Sequence, residues 1–194
     1  MFILEELYDT PIREILAQGD RDGACFLYSI ANALGALACK SVDQDEWLEG
    51  IRALPFDLRD YLAGSGTENL DTNQHYLEGF CQNFIEALGV DAKITWHEGL
   101  KSTGELKNIL SPYNVFIMAV DDDEHWVAIV DTDDKDAVFI ACSAEALDGM
   151  YPYNEEISSR YHRAYNKQST FAELRAEKGY GLLISVEYKR KPKR

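Results

Sequence analysis

The stretch CFLYSIANALGALA, residues 25 to 38, carries apolar side chains all the way round a helix. Phe26, Ile30, Ala33 and Leu37 fall on one face, and Leu27, Ala31, Leu34 and Ala38 fall on another. Such a helix has no side to give to water, so other elements must enclose it. Its entry, GDRDGA, sets Gly19 and Gly23 in a turn-forming loop, where glycine reaches backbone angles closed to other residues. Cys25 is thereby expected at or near a helix N-terminus.

The rest of the chain supplies material for the enclosure. Residues 41 to 72 read as polar and helical, with Trp47, Leu48, Ile51 and Leu54 as an apolar stripe, broken at Pro55 and at GSGTENLDTN. From 73 to 88, Leu77, Cys81, Phe84 and Leu88 recur at helical spacing, and Gly89 closes the run. Val90, Ala92, Ile94 and Trp96 then alternate as in a strand. Ser102 with Glu105 makes a capping box for a short helix that Pro112 stops. VFIMAV, 115 to 120, is apolar throughout and predicts a buried central strand. HWVAIV (125 to 130) and AVFIA (137 to 141), each entered from an acidic turn, predict an antiparallel hairpin. A second capping box, Thr170 with Glu173, predicts a late helix before the final strand GLLISVEY, 181 to 188.

Helices first and an antiparallel sheet later make an α+β layout. At 194 residues, of which 46% are hydrophobic, the expectation is one domain over residues 1–188 with one substantial core. Residues 189–194, KRKPKR, form a basic tail after it, either a solvated end or a docking tag for an acidic partner.

Composition removes several function classes. A net charge of −15 repels phosphate backbones, which argues against nucleic acid and favours a peptide or protein substrate of basic character. No run of about 18 apolar residues could span a membrane. The opening MFILEELYDTPIREIL lacks the basic flank of a secretory signal. The expected compartment is the cytoplasm, or the exterior by export without a cleaved signal. Cys25, Cys39, Cys81 and Cys142 are far apart with no Cys-x-x-Cys pair, so neither structural disulfides nor a cysteine metal site is expected. His75, His97 and His162 read as surface residues, and no pair has metal-ligand spacing. No cofactor is implied, and the oligomeric state is left open.

What remains is cysteine chemistry. A thiol is a strong nucleophile only as thiolate, and a helix N-terminus together with an imidazole favours that form. Gln18 stands seven residues before Cys25 in AQGDRDGACFLYSIANAL, and DDDEHWVAIVD puts His125 at the start of a strand. This order of Gln, glycine loop, Cys, buried helix and later His-strand resembles the papain-like cysteine peptidases over roughly residues 13 to 145. The intervening strand, helix and apolar strand look like the branch that processes bacteriocin leaders. The resemblance implies a helical part carrying the nucleophile helix, packed on an antiparallel sheet. It also implies Cys25 as nucleophile, His125 as base and Gln18 as an oxyanion donor. The expected function is hydrolysis of a peptide or isopeptide bond, or acyl transfer if an amine replaces water. DGACFLYSIA is also similar to the nucleophile segment of the ovarian-tumour-type deubiquitinases, in which Asp22 could assist the His. From a different class, the fold could serve as a peptide-binding or adaptor domain without turnover.

At the third catalytic position the sequence departs from that family, whose next strand ends in an Asp that orients the imidazole. Symmetric pairing of HWVAIV with AVFIA about the turn at 131 to 136 sets His125 opposite Cys142, with Ser143 next. Asp131 lies six residues along the strand, about 20 Å away. Ser143, or else Asp22, is therefore expected to accept from the ring.

Overall fold

The computed structural model describes residues 15–18, 24–37, 42–54, 74–146 and 156–186. Among the described residues, four helices precede or interrupt the strands: α1 (Cys25–Ala36), α2 (Gln44–Arg52), α3 (Gln74–Ala87) and α4 (Thr103–Ile109). The strands are β1 (Ala92–His97), β2 (Asn114–Val120), β3 (His125–Thr132), β4 (Ala137–Ala141), β5 (Glu156–Ile157), β6 (Ala164–Tyr165), β7 (Lys167–Thr170) and β8 (Gly181–Val186). Six of them form one antiparallel sheet in the order β1-β8-β2-β3-β4-β7, and β5 pairs with β6. The chain is thus α+β. Among the described residues, no helix is long and apolar enough to cross a membrane.

Alternation along the strands divides the core into two layers. Val115, Ile117, Ala119, Trp126, Ala128, Val130, Phe139 and Ala141 face α1 and the helices behind it. Phe116, Met118, Val127, Ile129, Val138, Ile140 and Cys142 face the other way, where Leu106 and Leu110 of the α4 segment and Leu174 cover them. Every one of these side chains is therefore buried on one side or the other, which is why β2 and β4 lack the polar alternation of a half-exposed sheet.

The all-round apolar helix is enclosed as its pattern demands. Trp126 of β3 meets Phe26 edge-on at 4.7 Å between ring centres, and Phe80 of α3 meets it at 5.6 Å. Tyr28 packs at 4.5 Å on Trp47 of α2, which meets Phe84 of α3 at 5.6 Å. α2 can come that close to α3 because Gly50 has no side chain: a Cβ there would lie 2.5 Å from the Phe84 ring.

Two expectations change. The Thr170–Glu173 box does form, with Thr170 N–H donating to Glu173 Oε2 at 2.9 Å, but it opens only a single 3-10 turn, Ala172–Leu174. Arg175 ends that turn in the left-handed region at φ 47°. The β3–β4 hairpin is also tighter than symmetric pairing predicts. β3 runs on to Thr132, Asp133 Oδ1 accepts from the N–H groups of Lys135 and Ala137, and Thr132 pairs with Val138. A bulge between Ile129 and Asp131 then sets Ile129 against Ile140 and Ala128 against Ala141. Continued by one step, Cys142 stands opposite Val127. That is two residues from the symmetric register and therefore on the same sheet face. Residues 55 to 73, read as the end of a helix and a loop, and the basic tail 189–194 lie outside the described residues.

The Asp131 side chain and Arg163 tie the bulge to segments outside the hairpin. The fully buried Asp131 carboxylate accepts from the N–H groups of Thr132 (2.8 Å), Arg160 (3.2 Å) and Tyr161 (3.1 Å). Arg163 Nη1 donates at 2.8 Å to the carbonyl of Val130, the residue at the bulge, and Nη2 donates at 2.8 Å to Ser111 O. Asp131→Ala would leave three backbone donors without this acceptor, and we expect it to cost about 3 kcal/mol. Urea unfolding should show a lower midpoint with an unchanged slope, and an unchanged midpoint would contradict the role given to this carboxylate.

Candidate active site

Two polar residues interrupt the apolar surface of α1, and both are buried: Ser29 and Asn32. Buried polar groups need partners, and these two connect α1 to its surroundings. Ser29 Oγ donates to the Trp126 carbonyl at 2.8 Å. Since Phe26 and Ser29 both meet Trp126, the first turns of α1 lie over the start of β3. Asn32 Oδ1 accepts from Leu16 N–H at 2.8 Å, and its Nδ2 donates to Leu16 O at 3.2 Å. This pairing works like a short piece of sheet and fixes the segment that carries Gln18.

Cys25 is the first residue of α1 and is buried, with Ala24 before it providing no side-chain cap. His125 is the first residue of β3, opposite Val120 across the β2–β3 hairpin. The connecting turn is held in an unusual shape. Asp121, Asp122 and Asp123 all take positive φ, at 52°, 60° and 71°, which costs energy for side chains other than glycine. Outside contacts offset that cost: Asp121 N–H donates to Leu174 O (2.9 Å), Asp122 N–H to Arg175 O (3.0 Å), and Arg175 and Lys178 form ion pairs with the three carboxylates. By strand alternation the His125 ring lies on the Val127 face, whereas α1 covers the Trp126 face. Cys25 and His125 are therefore brought to the same end of the sheet from its two sides.

The ring's hydrogen-bond contact is with sulfur: His125 Nε2 lies 3.5 Å from Cys142 Sγ. Ser143, the next residue, points to the opposite face by alternation. Its buried hydroxyl donates to Gln18 Oε1 at 2.7 Å, and Gln18 N–H donates to Ser143 O at 3.2 Å. The expectation that Ser143 accepts from His125 is thus replaced. Ser143 serves Gln18, because one step along the chain past Cys142 turns the side chain to the α1 side. Asp22, the other residue expected to reach the ring, lies outside the described residues.

Asn166 joins the site without any expectation from the sequence, where no periodic signal marks it. Its side chain accepts from Cys142 N–H and donates to Cys142 O, both at 2.8 Å, and so holds Cys142 in place just beyond the end of β4. Ser29 and Asn32, by contrast, could have been picked out as polar residues in an apolar helix. Of the other histidines, His75 and His162 are exposed, and His97 lies edge-on to Phe116 at 6.0 Å. Cys25, Cys81 and Cys142 carry thiols that no disulfide joins. Burial pushes the Cys81 thiol far above the usual range, which leaves it inert.

Burial also holds His125 below its ordinary value, against a smaller upward pull from Asp121; Lys167 lowers it further and Glu145 raises it. The ring is thus a neutral base at neutral pH. The unfolded chain takes up a proton near pH 6.5 and the folded chain only at lower pH, so the unfolded state binds more protons between the two values. Stability from this group should be level above about pH 6.5 and decline as pH falls through the folded value. His125→Gln should flatten that decline in urea titrations between about pH 5 and 7, and an identical pH slope in both proteins would count against the burial effect.

No protein-family model matches this chain and no curated protein matches it, so the chemistry has to be read from the residues themselves.

Proposed function

We propose that this protein is a papain-like cysteine hydrolase acting on a peptide or isopeptide bond, with Cys25 as nucleophile, His125 as base and acid, and Gln18 as oxyanion donor. The observation that carries the reading is the hydrogen bond from Ser143 Oγ to Gln18 Oε1. With Oε1 occupied as an acceptor, the amide turns its N–H₂ group the other way. A side-chain amide fixed in that sense, on the loop that leads to a helix-start cysteine, is a preorganised donor for a developing oxyanion.

These roles define the steps. Cys25 passes its proton to His125 and attacks the carbonyl carbon, and the charge that forms on oxygen is met by the Gln18 amide. The C–N bond then breaks, the amine leaves with the proton from His125, and a thioester on Cys25 remains. Water, deprotonated by His125, attacks the thioester, the C–S bond breaks, the acid product leaves and the Cys25 thiol is restored. An amine in place of that water would make the same site an acyltransferase. The net charge of −15 favours a substrate of basic character.

A second reading is favoured by one observation, the thiol at His125 Nε2 where a carboxylate would stabilise an imidazolium better. On that reading the domain binds peptides without turnover. An ovarian-tumour-type isopeptidase would use the same Cys25 and His125.

Labelling with iodoacetamide at about pH 5.5, where ordinary thiols stay protonated, separates the readings. Mass spectrometry should find Cys25 modified well ahead of Cys39, Cys81 and Cys142, and His125→Ala should slow that labelling. Uniform slow labelling of all four would leave the binding-domain reading. Hydrolysis of para-nitrophenyl acetate should vanish in Cys25→Ala and fall by about 10- to 1000-fold in Gln18→Ala. Alkylation, which forms no oxyanion, should change much less in Gln18→Ala. Equal losses in both assays would make Gln18 a structural residue.

A further inference from the structure

The sulfur of Cys142 is set in a built environment. His125 Nε2 stands 3.5 Å from it on one side. The backbone N–H groups of Glu145 and Ala144, in the turn after β4, favour the ionised form of that sulfur. Asn166 grips Cys142 by both backbone groups at 2.8 Å, so the side chain cannot swing away by local fraying. The residue is only 1% exposed, which excludes water and any substrate from the thiol. Lys167, held by Glu145 at 3.0 Å, brings a positive charge to the same corner. Donors and one cation thus converge on an atom that is neutral as a thiol and anionic as a thiolate.

We infer that Cys142 is the residue that positions the His125 ring, and that its ionisation with rising pH places an anion against Nε2, making support of the imidazolium switchable where a carboxylate would make it permanent. The inference rests on the hydrolase reading for its consequence, though not for the contact itself. A sulfur at Nε2 fixes the ring's orientation from that side. A neutral thiol is a weak hydrogen-bond acceptor, so at neutral pH the ring is held but its protonated form gains little. Once the proton leaves sulfur, the thiolate stabilises the imidazolium that forms when His125 takes up the Cys25 proton, and the two groups titrate as a pair.

The groups that bear on this pair come from several elements. Asp121 from the β2–β3 turn and Glu145 beyond β4 favour protonation of His125, and Lys167 of β7 opposes it. For Cys142, burial pushes the thiol up, the Glu145 and Ala144 N–H groups and Lys167 pull it down, and Glu145 pushes it up again. The switch therefore lies on the alkaline side, above the pH at which His125 itself loses its proton.

Ring NMR of His125 across pH, in wild type, Cys142→Ser and Cys142→Asp, tests the inference together with iodoacetamide labelling of Cys25. Wild type should show a second, alkaline inflection in the His125 ring shifts that Cys142→Ser lacks. Cys142→Asp should raise the His125 titration by about one unit or more, because a fixed anion now faces the ring. It should also speed Cys25 labelling at neutral pH by about tenfold, the equivalent of one unit. If Cys142→Asp does not fold, loss of the alkaline inflection in Cys142→Ser still decides the matter. Identical ring titrations in wild type and Cys142→Ser would overturn the inference. Altered ring titrations with a Cys25 that stays unreactive in every variant would uphold the Cys142–His125 coupling and defeat the hydrolase reading instead.

Discussion

Ser29 gives its hydroxyl proton to the carbonyl of Trp126 inside the core, where water cannot replace either partner. A slide of α1 along β3 by one residue would orphan both groups, at a cost of about 1–3 kcal/mol for each, and would pull Phe26 off the Trp126 ring. The bond therefore fixes which part of the helix lies over which part of the sheet. Because Cys25 stands one turn before Ser29 and His125 one residue before Trp126, it also fixes the end of the sheet at which both residues lie. Apolar burial brings α1 against the sheet, and this polar contact selects the registration.

The same device recurs on a smaller scale. Asn32 clamps the backbone of Leu16 and thereby the Gln18 segment, and Asn166 clamps the backbone of Cys142. In each case a side-chain amide does for an irregular segment what a neighbouring strand does for a regular one, offering one donor and one acceptor to one residue's backbone. The bulge in β3 is held in a related way, by the Asp131 carboxylate and the Arg163 guanidinium acting on backbone groups that the hairpin does not pair. The corner is thus rigid at the segments that carry Gln18, Cys142 and Ser143, which is what a preorganised site requires.

Much of this fold was readable in the chain. The all-round apolar pattern of residues 25 to 38, the apolar run at 115 to 120 and the hairpin of HWVAIV with AVFIA each describe burial, and burial depends on local pattern. The Thr170–Glu173 box was legible as a cap but not as the start of a helix, because the backbone turns left-handed at Arg175 after a single turn. The hairpin register departs from symmetric pairing by two residues. The bulge that sets it is held by Arg160, Tyr161 and Arg163, some thirty residues away, and hairpin symmetry contains no trace of them. The expected faces survive nonetheless, because a shift of two returns every side chain to its own side of the sheet.

By itself the sequence determined the class of the fold, the place of Cys25 at the head of a buried helix and the place of His125 at the head of a strand. These depend on periodicity and turn residues, which act over short distances along the chain. Only the tertiary structure decided which polar atoms meet. It gave the Ser143 hydroxyl to Gln18 rather than to His125, put the Cys142 sulfur at the ring nitrogen, and recruited Asn166 and Lys167 from β7 and its entry to that corner. The physical reason is that a hydrogen bond is satisfied by position in space and direction. Both are set by how distant segments pack and not by the residues on either side.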